Sequence, residues 1–337
     1  MTIQENISLK PYNTFGIDVK TRFFIELLTE EDVSSFLSGS RELQKPFLFI
    51  GGGSNMLFTK DFAGTVVRIC TKGIESVNEN DDFMLVKAAS GESWDDFVKY
   101  CVGMGWGGLE NLSLIPGNVG TGPIQNIGAY GVELKDVFVD LEAIHIETLE
   151  KVVLSKEQCE FGYRDSIFKG KGKGKYFILS VSLLLSKHSD LKLDYGTIRE
   201  ELKTMNRINP TISDVREAVC RIRGRKLPDP GQIGNAGSFF KNPVISKQRF
   251  ILLKKQFPGV VSFPQDEGYK IAAAWMIEQC GWKGKRSGDA GVHENQPLVL
   301  VNYGSATGEE ILHLANLIID STERKFGIRL EPEVNIY

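Results

Sequence analysis

The sequence has no cysteines paired at short spacing. Its five, Cys70, Cys101, Cys159, Cys220 and Cys280, are scattered and odd in number, with no C-x-x-C among them. That pattern argues against a disulfide framework and against a structural zinc site, and points to reduced, mostly buried thiols of a cytoplasmic protein. Histidine is scarcer still. His145, His188, His293 and His313 are dispersed and form no H-E-x-x-H or similar ligand pair, so no catalytic metal is expected. An excess of positive charge is lacking too. With 40 basic and 43 acidic residues the formal net charge is -3, which provides no general field for nucleic acid or an anionic membrane. No apolar run approaches the length of a membrane span. The opening MTIQENISLKPYNTF has neither the basic start nor the apolar core of a signal peptide. The expectation is a protein of the cytoplasm with neither nucleic acid nor membrane as partner.

What is present is ordinary globular material. A chain of 337 residues, 42% hydrophobic and 25% charged, suggests two or three domains with sizeable cores. RFFIELL (22–28) reads as a strand, TEEDVSSFLSGS as a helix with acids in its first turn, and KPFLFIGGGSN as a strand entering a glycine turn. TVVRIC and FMLVKAA read as further strands. SWDDFVKYCVGMGW predicts a helix with Trp94, Phe97, Val98, Cys101 and Val102 on one face and a capping box between Ser93 and Asp96. VFVDLEAIHIETL and YFILSVSLLLS return to strand patterns. Residues 188–215 are polar and irregular, and a domain boundary falls close to 225–230, RKLPDP. Beyond it, YKIAAAWMIEQC predicts a helix stopped by Gly281. TGEEILHLANLIIDSTERKF predicts another, capped by Thr307 and ended by Gly327, before a final strand IRLEPEVNIY.

Five stretches invite chemistry. Gly51-Gly52-Gly53-Ser54-Asn55 follows an apolar strand, and glycines let backbone N–H groups approach a pyrophosphate. G-x-G-x-x-G fails at Met56, however, and no Walker lysine follows, so neither a Rossmann fold nor a P-loop is expected; a plain tight turn competes equally. IPGNVGTGPIQNIGAYG (115–131) holds five glycines and two prolines interleaved with Ile115, Val119, Ile124, Ile127 and Tyr130. Flexible linkers are polar, so this reads as an ordered wall shaped to a flat cofactor with a phosphate tail. In CEFGYRDSIFK, Arg164 either pairs with Asp165 or clamps an anionic group, the pairing being favoured locally. In GNAGSFFKNP (234–243), Ser238 has no G-x-S-x-G elbow and no neighbouring histidine base. A backbone-bonded serine is the bland reading there. In RLEPEVNIY, Glu331 and Glu333 alternate on a strand, so only one can face a given pocket.

Taken in order, PYNTFGID (11–18), GGGSN (51–55), GLENLSLIPGNVGTGPIQNIGAYGVEL (108–134), FGYRDSIFK (161–169), RKLPDP (225–230), GNAGSFFKNP (234–243) and LEPEV (330–334) resemble the UDP-N-acetylenolpyruvoylglucosamine reductase family along nearly the whole chain. The resemblance implies an α+β fold: a vanillyl-alcohol-oxidase (PCMH)-type FAD-binding part of two subdomains, then a C-terminal α+β substrate-binding domain. The limits expected are 1–70, 71–224 with a lid insertion at about 188–215, and 225–337. The implied cofactor is non-covalent FAD with NADPH as hydride donor. The implied substrate is UDP-N-acetylglucosamine enolpyruvate, reduced to UDP-N-acetylmuramate for peptidoglycan synthesis by an enzyme expected to be a monomer.

By the same resemblance, Ser238 matches a proton donor, Arg164 an arginine polarising the substrate carboxylate, and Glu333 a glutamate of that cluster. Gly51, Gly52, Gly53, Ser54 and Asn55 match cofactor-contacting positions, as do Ile115, Pro116, Gly117, Val119, Gly120, Thr121, Gln125, Asn126, Gly128, Ala129 and Tyr130. Tyr195, in LKLDYGTI, matches the lid tyrosine of one subclass, and Lys226, Asn242 and Gln296 match substrate contacts. One departure stands out: after LEPEV the family's best-known members carry arginine where this chain has Asn335. Two competing readings are a flavin oxidase or dehydrogenase of the same fold acting on an alcohol or lactone, and a non-catalytic nucleotide-sugar or flavin-binding protein.

Overall fold

The computed structural model describes residues 2–39, 45–188, 190–265 and 268–337. They divide into two units. The first comprises Met1–Ile7, Thr21–Gly52 and Ala63–Arg225; the second comprises Ser8–Lys20, Gly53–Phe62 and Lys226–Tyr337.

The first unit is built on two sheets. In one, the strands run in the order Ile3–Ser8, Lys20–Leu27, Phe62–Ile69 and Phe47–Ile50, the last two parallel. Helix α1 (Glu30–Gly39) buries Val33, Phe36 and Leu37 against Ile25, Leu27, Val67 and Phe177. The other sheet is antiparallel and five-stranded. Its order is Lys151–Ser155, Phe138–His145, Tyr176–Ser186, Phe83–Ala89 and Ile74–Glu79. Helix α2 (Trp94–Gly103) lies in its core, with Trp94, Phe97, Val98, Cys101 and Val102 buried as their helical spacing predicts. Each large apolar side chain buried this way contributes roughly 1.5–3 kcal/mol.

The capping box expected at α2 is absent. Ser93 is the N-cap residue but makes no side-chain cap bond. The Trp94 N–H donates instead to the Gly117 carbonyl at 3.0 Å, so the wall loop caps the helix. The stretch 188–215, read as irregular, carries helix α3 (Ile198–Thr204) and the start of α4 (Ile212–Lys226). These two helices bury Ile198 and Leu202 against Val215, Ala218, Val219 and Ile222. The pattern is short and diluted by charge, which hid it in the sequence.

The second unit holds an antiparallel sheet in the order Gly234–Ser238, Val299–Asn302, Ala290–Val292 and Arg286–Ser287. A small three-stranded sheet runs Val244–Ile245, Gly268–Ile271 and Ser262–Gln265. Its helices are α5 (Lys247–Gln256), α6 (Ala273–Gln279) and α7 (Gly308–Phe326). The helix expected from Tyr269 is therefore shorter. Residues up to Ile271 form a strand, because Tyr269 pairs with Ile245 and stacks on Phe250 at 3.8 Å. The final strand is also shorter than expected. Only Asn335–Ile336 is a strand, parallel to Met56–Leu57, while Pro332 makes an isolated bridge to Phe240.

Candidate functional site

In the first unit three backbone segments converge. The wall loop 115–131 is ordered into short 3-10 turns, Val119–Thr121 and Pro123–Gln125. Asn118 donates to the Gly91 carbonyl at 2.8 Å, and Val119 and Gly120 donate their N–H groups to Glu92 and Ser90. Glycine is required at these contacts. A Cβ on Gly51 would come within 2.6 Å of Asn118 Oδ1, one on Gly120 within 1.4 Å of Ser90 Oγ, and one on Gly91 within 2.5 Å of the Thr71 nitrogen. The buried hydroxyls of Ser90 and Thr71 have no hydrogen-bond partner within the protein. A cradle of close-approaching backbone with unsatisfied hydroxyls fits a dinucleotide cofactor whose pyrophosphate is held by loop backbone.

The remaining cofactor candidates sort by what their side chains do. Val119 is fully buried in the core, and Thr121 closes a capping box with Asn118. Asn126, fully buried and left-handed at φ 45°, donates to Glu133 and Gly162 and accepts from Lys135 N–H. These three build the wall. Ile115, Pro116, Gly117, Gln125, Gly128, Ala129 and Tyr130 line the same loop and are half-buried or exposed. The glycine turn itself divides. Gly53 to Asn55 belong to the second unit, where Gly53, at φ +63°, lies so near the Tyr12 carbonyl that a Cβ would stand 2.0 Å from it.

Arg164 occupies a tight turn at φ 54° and donates Nη2 to the Gly128 carbonyl at 2.8 Å, so its guanidinium sits at the end of the wall loop. Sequence reasoning missed a second arginine here. Arg223, on α4, lies electrostatically close to Arg164 and Tyr130. Its Nη2 donates to the Leu114 carbonyl at 3.2 Å, and its Nε is buried without a hydrogen-bond partner. Burial holds this guanidinium below the usual arginine range, and burial pushes the Tyr130 phenol up. Two arginines and a buried partnerless donor suit an anionic ligand. Only burial separates Arg223 from the exposed Arg221 and Arg225 beside it, so the sequence carried no signal for it. Tyr195 lies on Gly131, where a Cβ would be 3.1 Å from the tyrosine Cβ.

The second unit places Ser238 by a bulge. Asn235 pairs with Val301 and Ser238 with Val299, so Ala236 and Gly237 together oppose Leu300. Gly237 adopts φ +69° and donates its N–H to Asn235 Oδ1 at 2.9 Å. Such bulges re-aim the following side chain. The C-terminal segment runs alongside: Glu333 donates its N–H to the Phe239 carbonyl at 2.7 Å, and Lys241 donates to Glu331. Glu333 therefore lies opposite Phe239, the residue after Ser238, and is half-buried, while Glu331 is exposed. Asn335 donates its side chain to the Asn55 carbonyl at 3.0 Å, and Asn55 donates to the Glu333 carbonyl. The chain end is thereby tied to the glycine turn. Asn242 accepts the Ala273 N–H at the start of α6, Gln296 is half-buried in the loop before Val299, and Lys226 is exposed. Among the described residues no group of three or more His, Cys, Asp or Glu is arranged to hold a metal. None of their helices is long and apolar enough to cross a membrane.

Comparison with known proteins agrees with this layout. Residues 21–147 match the family described as an FAD binding domain, which makes the chain a flavin-binding protein of α+β fold. Residues 229–337 match the C-terminal domain of UDP-N-acetylenolpyruvoylglucosamine reductase. Proteins of that name from Pseudomonas savastanoi pv. phaseolicola and Flavobacterium johnsoniae are 51% and 49% identical, each over 100% of this chain and 99% and 100% of their own lengths. The chain belongs to the UDP-N-acetylenolpyruvoylglucosamine reductase family. A solved structure of such a reductase from Thermus caldophilus has the same fold, with a TM-score of 0.67 at 23% identity and full coverage of both chains.

Proposed function

We propose that the chain reduces the enolpyruvyl ether of UDP-N-acetylglucosamine enolpyruvate to the lactyl ether of UDP-N-acetylmuramate, with FAD held non-covalently and NADPH as electron donor. When bound, FAD supplies the means of receiving a hydride from NADPH and passing it to the terminal carbon of the enolpyruvyl group. The cradle of Gly51, Gly52 and Gly117 holds the cofactor's phosphates through backbone, braced by Gly120, whose N–H is bonded to the Ser90 carbonyl. Gly53, Ser54, Asn55, Ile115, Pro116, Gln125, Gly128, Ala129 and Tyr130 complete its contacts, with Val119, Thr121 and Asn126 acting as the wall's struts.

Hydride addition leaves negative charge on the substrate's neighbouring carbon and carboxylate. Arg164, helped by Arg223, neutralises the carboxylate. The Ser238 hydroxyl gives its proton to the carbon, which is basic enough to take it without a histidine to activate the serine. Glu333 orients that hydroxyl. Tyr195 acts as a lid over the uridine diphosphate portion, and Lys226, Asn242 and Gln296 hold the same substrate. We assign flavin binding to residues 1–70 and 71–224 and substrate binding to 225–337, in a cytoplasmic monomer; sedimentation velocity tests the oligomeric state.

The observation that supports this reading is the bulge at Ala236–Gly237 immediately before Ser238, with the C-terminal segment bonded to the next residue, Phe239. The test separates the half-reactions of Ser238→Ala by stopped-flow absorbance. Flavin reduction by NADPH should stay within about twofold of the parent, while reoxidation by the enolpyruvyl substrate should slow about 10²–10⁴-fold, the usual worth of a general acid. Equal reoxidation rates in variant and parent would remove Ser238 from the mechanism.

A further inference from the structure

The segment that carries Tyr195 is tied to the wall loop by a buried side chain that the proposed chemistry does not use. Asn111, in the 3-10 turn Glu110–Leu112, is 1% exposed. Its Nδ2 donates to the Tyr130 carbonyl at 2.9 Å and to the Lys192 carbonyl at 2.8 Å. All three residues belong to the first unit. Two carbonyl acceptors fix the orientation of the amide, because the reverse assignment would set its oxygen against theirs. The amide oxygen is buried with no hydrogen-bond partner. An unmet buried acceptor is a cost, so this side chain serves through its two donors. Among side chains of this size only an amide offers two donors on one atom; aspartate and leucine have none, and serine has one.

The two bonds lie just behind the place where Tyr195 meets the wall. Upstream of Tyr195, Leu191 packs against both the core around Trp94 and the pair α3–α4, and Leu193 packs against the helix pair. Downstream, Ile198 is fully buried. Asp194, Tyr195, Gly196 and Thr197, between them, are exposed. Asp194 accepts from Arg199 Nε at 2.7 Å, which closes this tip into a short loop. On the wall side, Tyr130 and Gly131 are both left-handed, at φ 50° and 82°. A Cβ on Gly131 would be 3.1 Å from Tyr195 Cβ, and one on Gly196 would be 3.6 Å from the Tyr130 ring. The tip therefore rests on the end of the wall. Three residues of chain span at most about 11 Å, so fixing Lys192 limits where the Tyr195 ring can go.

We propose that Asn111 is a positioning residue for Tyr195. By tying the Lys192 and Tyr130 carbonyls to one nitrogen, it holds the root of the lid segment to the wall loop and presets Tyr195 against Gly131 before substrate arrives. A preset side chain forfeits less entropy on binding than one that must be ordered. The inference rests on the reading of Tyr195 as a lid over the uridine diphosphate portion.

The test uses the oxidised, FAD-loaded enzyme, titrated with UDP-N-acetylglucosamine enolpyruvate and followed by the change in flavin absorbance. Asn111→Leu keeps the volume and removes both donors. Substrate affinity should fall about tenfold in Asn111→Leu, the worth of one or two hydrogen bonds. FAD affinity, the rate of reduction by NADPH and the rate of reoxidation at saturating substrate should all stay within about twofold of the parent. Tyr195→Ala should weaken substrate as well. Because Asn111 acts through Tyr195, the double variant Asn111→Leu/Tyr195→Ala should bind no more weakly than Tyr195→Ala alone.

Parent-like substrate affinity in Asn111→Leu, or additive losses in the double variant, would overturn the proposal. So would a loss of FAD affinity as large as the loss of substrate affinity, which is the signature of a merely structural role in the wall. If Asn111→Leu fails to fold, Asn111→Ser, which keeps one donor, takes its place under the same criteria. Tyr195→Ala distinguishes the two levels. If it binds substrate like the parent, the lid reading fails and Asn111 with it; if it binds weakly while Asn111→Leu binds tightly, only this inference fails.

Discussion

At the scale of single residues, the glycines of the proposed flavin cradle make the sharpest claim. Gly51 faces the side chain of Asn118, and Asn118 is not free to swing away because its Nδ2 is bonded to the Gly91 carbonyl. Gly51→Ala therefore forces the loops apart or breaks that bond. The expected outcome is FAD affinity at least about tenfold weaker by fluorescence titration, with a cost of about 1–3 kcal/mol from overpacking. Gly224 supplies the contrast. It lies in exposed helix with nothing within 4 Å of a built Cβ. Gly224→Ala should stabilise the protein by about 0.5–1 kcal/mol and leave flavin affinity unchanged. Unaltered flavin binding by Gly51→Ala would mean that the cradle is only a tight turn. Much of this was legible: a glycine-rich, apolar-interleaved loop announces ordered backbone. What was hidden is the partner of each glycine, since Ser90, Gly91 and Asn118 meet only after the sheet has formed.

At the scale of elements, the same sequence signature has two outcomes. Thr307 and Glu310 form a reciprocal capping box on α7: Thr307 Oγ1 accepts the Glu310 N–H at 3.2 Å, and Glu310 accepts the Thr307 N–H at 2.7 Å. Ser93 and Asp96 offer comparable letters before α2 and form no box. There the adjacent acid is used differently. Asp95 makes a bidentate pair with Arg216 at 2.7 and 2.9 Å and accepts the Leu114 N–H at 2.6 Å, holding a non-glycine residue at φ 59°. Thr307→Ala should thus cost about 1 kcal/mol in urea unfolding, and Ser93→Ala less than about 0.5 kcal/mol. Equal losses would show that Ser93 caps α2 after all. Helix α7 was legible because its apolar stripe, its cap and Gly327 at φ 64° are all local. The strand Gly268–Ile271 was not, because its identity depends on pairing with Val244–Ile245 across more than twenty residues. Helix α5 also escaped the sequence reading. It buries only Phe250 and Leu253, too few to make a stripe.

At the scale of the whole molecule, the segments Ser8–Lys20 and Gly53–Phe62 group with the C-terminal unit although the rest of that unit begins only at Lys226. The ties are backbone ones. Asn235 donates to the Thr14 carbonyl, Gly234 lies against the Phe15 carbonyl, and Gly308 lies against that of Phe58. No local periodicity records such approaches, whereas the composition shift near RKLPDP is visible in any window.

The charges buried across the chain give the molecule a stability optimum in pH. Burial alone would raise the Asp95 carboxyl, but its bonds to Arg216 and the Leu114 N–H prevail and hold it below the usual range. Lys87 and Lys151 do the same for Glu142 against its own burial. A depressed carboxylate contributes stability that is present above its unfolded pKa of about 4 and is lost as pH falls through the folded value. Burial pushes the Cys101 and Cys159 thiols the other way, each up to about 12. A raised thiol contributes stability that is full below its unfolded pKa of about 8.5 and is lost as pH climbs towards the folded value. The melting temperature should therefore be flat between about pH 5 and 8.5 and fall on both sides. Asp95→Asn should lower the plateau and flatten the acid limb, because the group that titrates has been removed. Cys159→Ala should flatten the alkaline limb. An acid limb of unchanged steepness in Asp95→Asn, measured by scanning calorimetry from pH 3 to 7, would place the controlling carboxylates elsewhere in the chain.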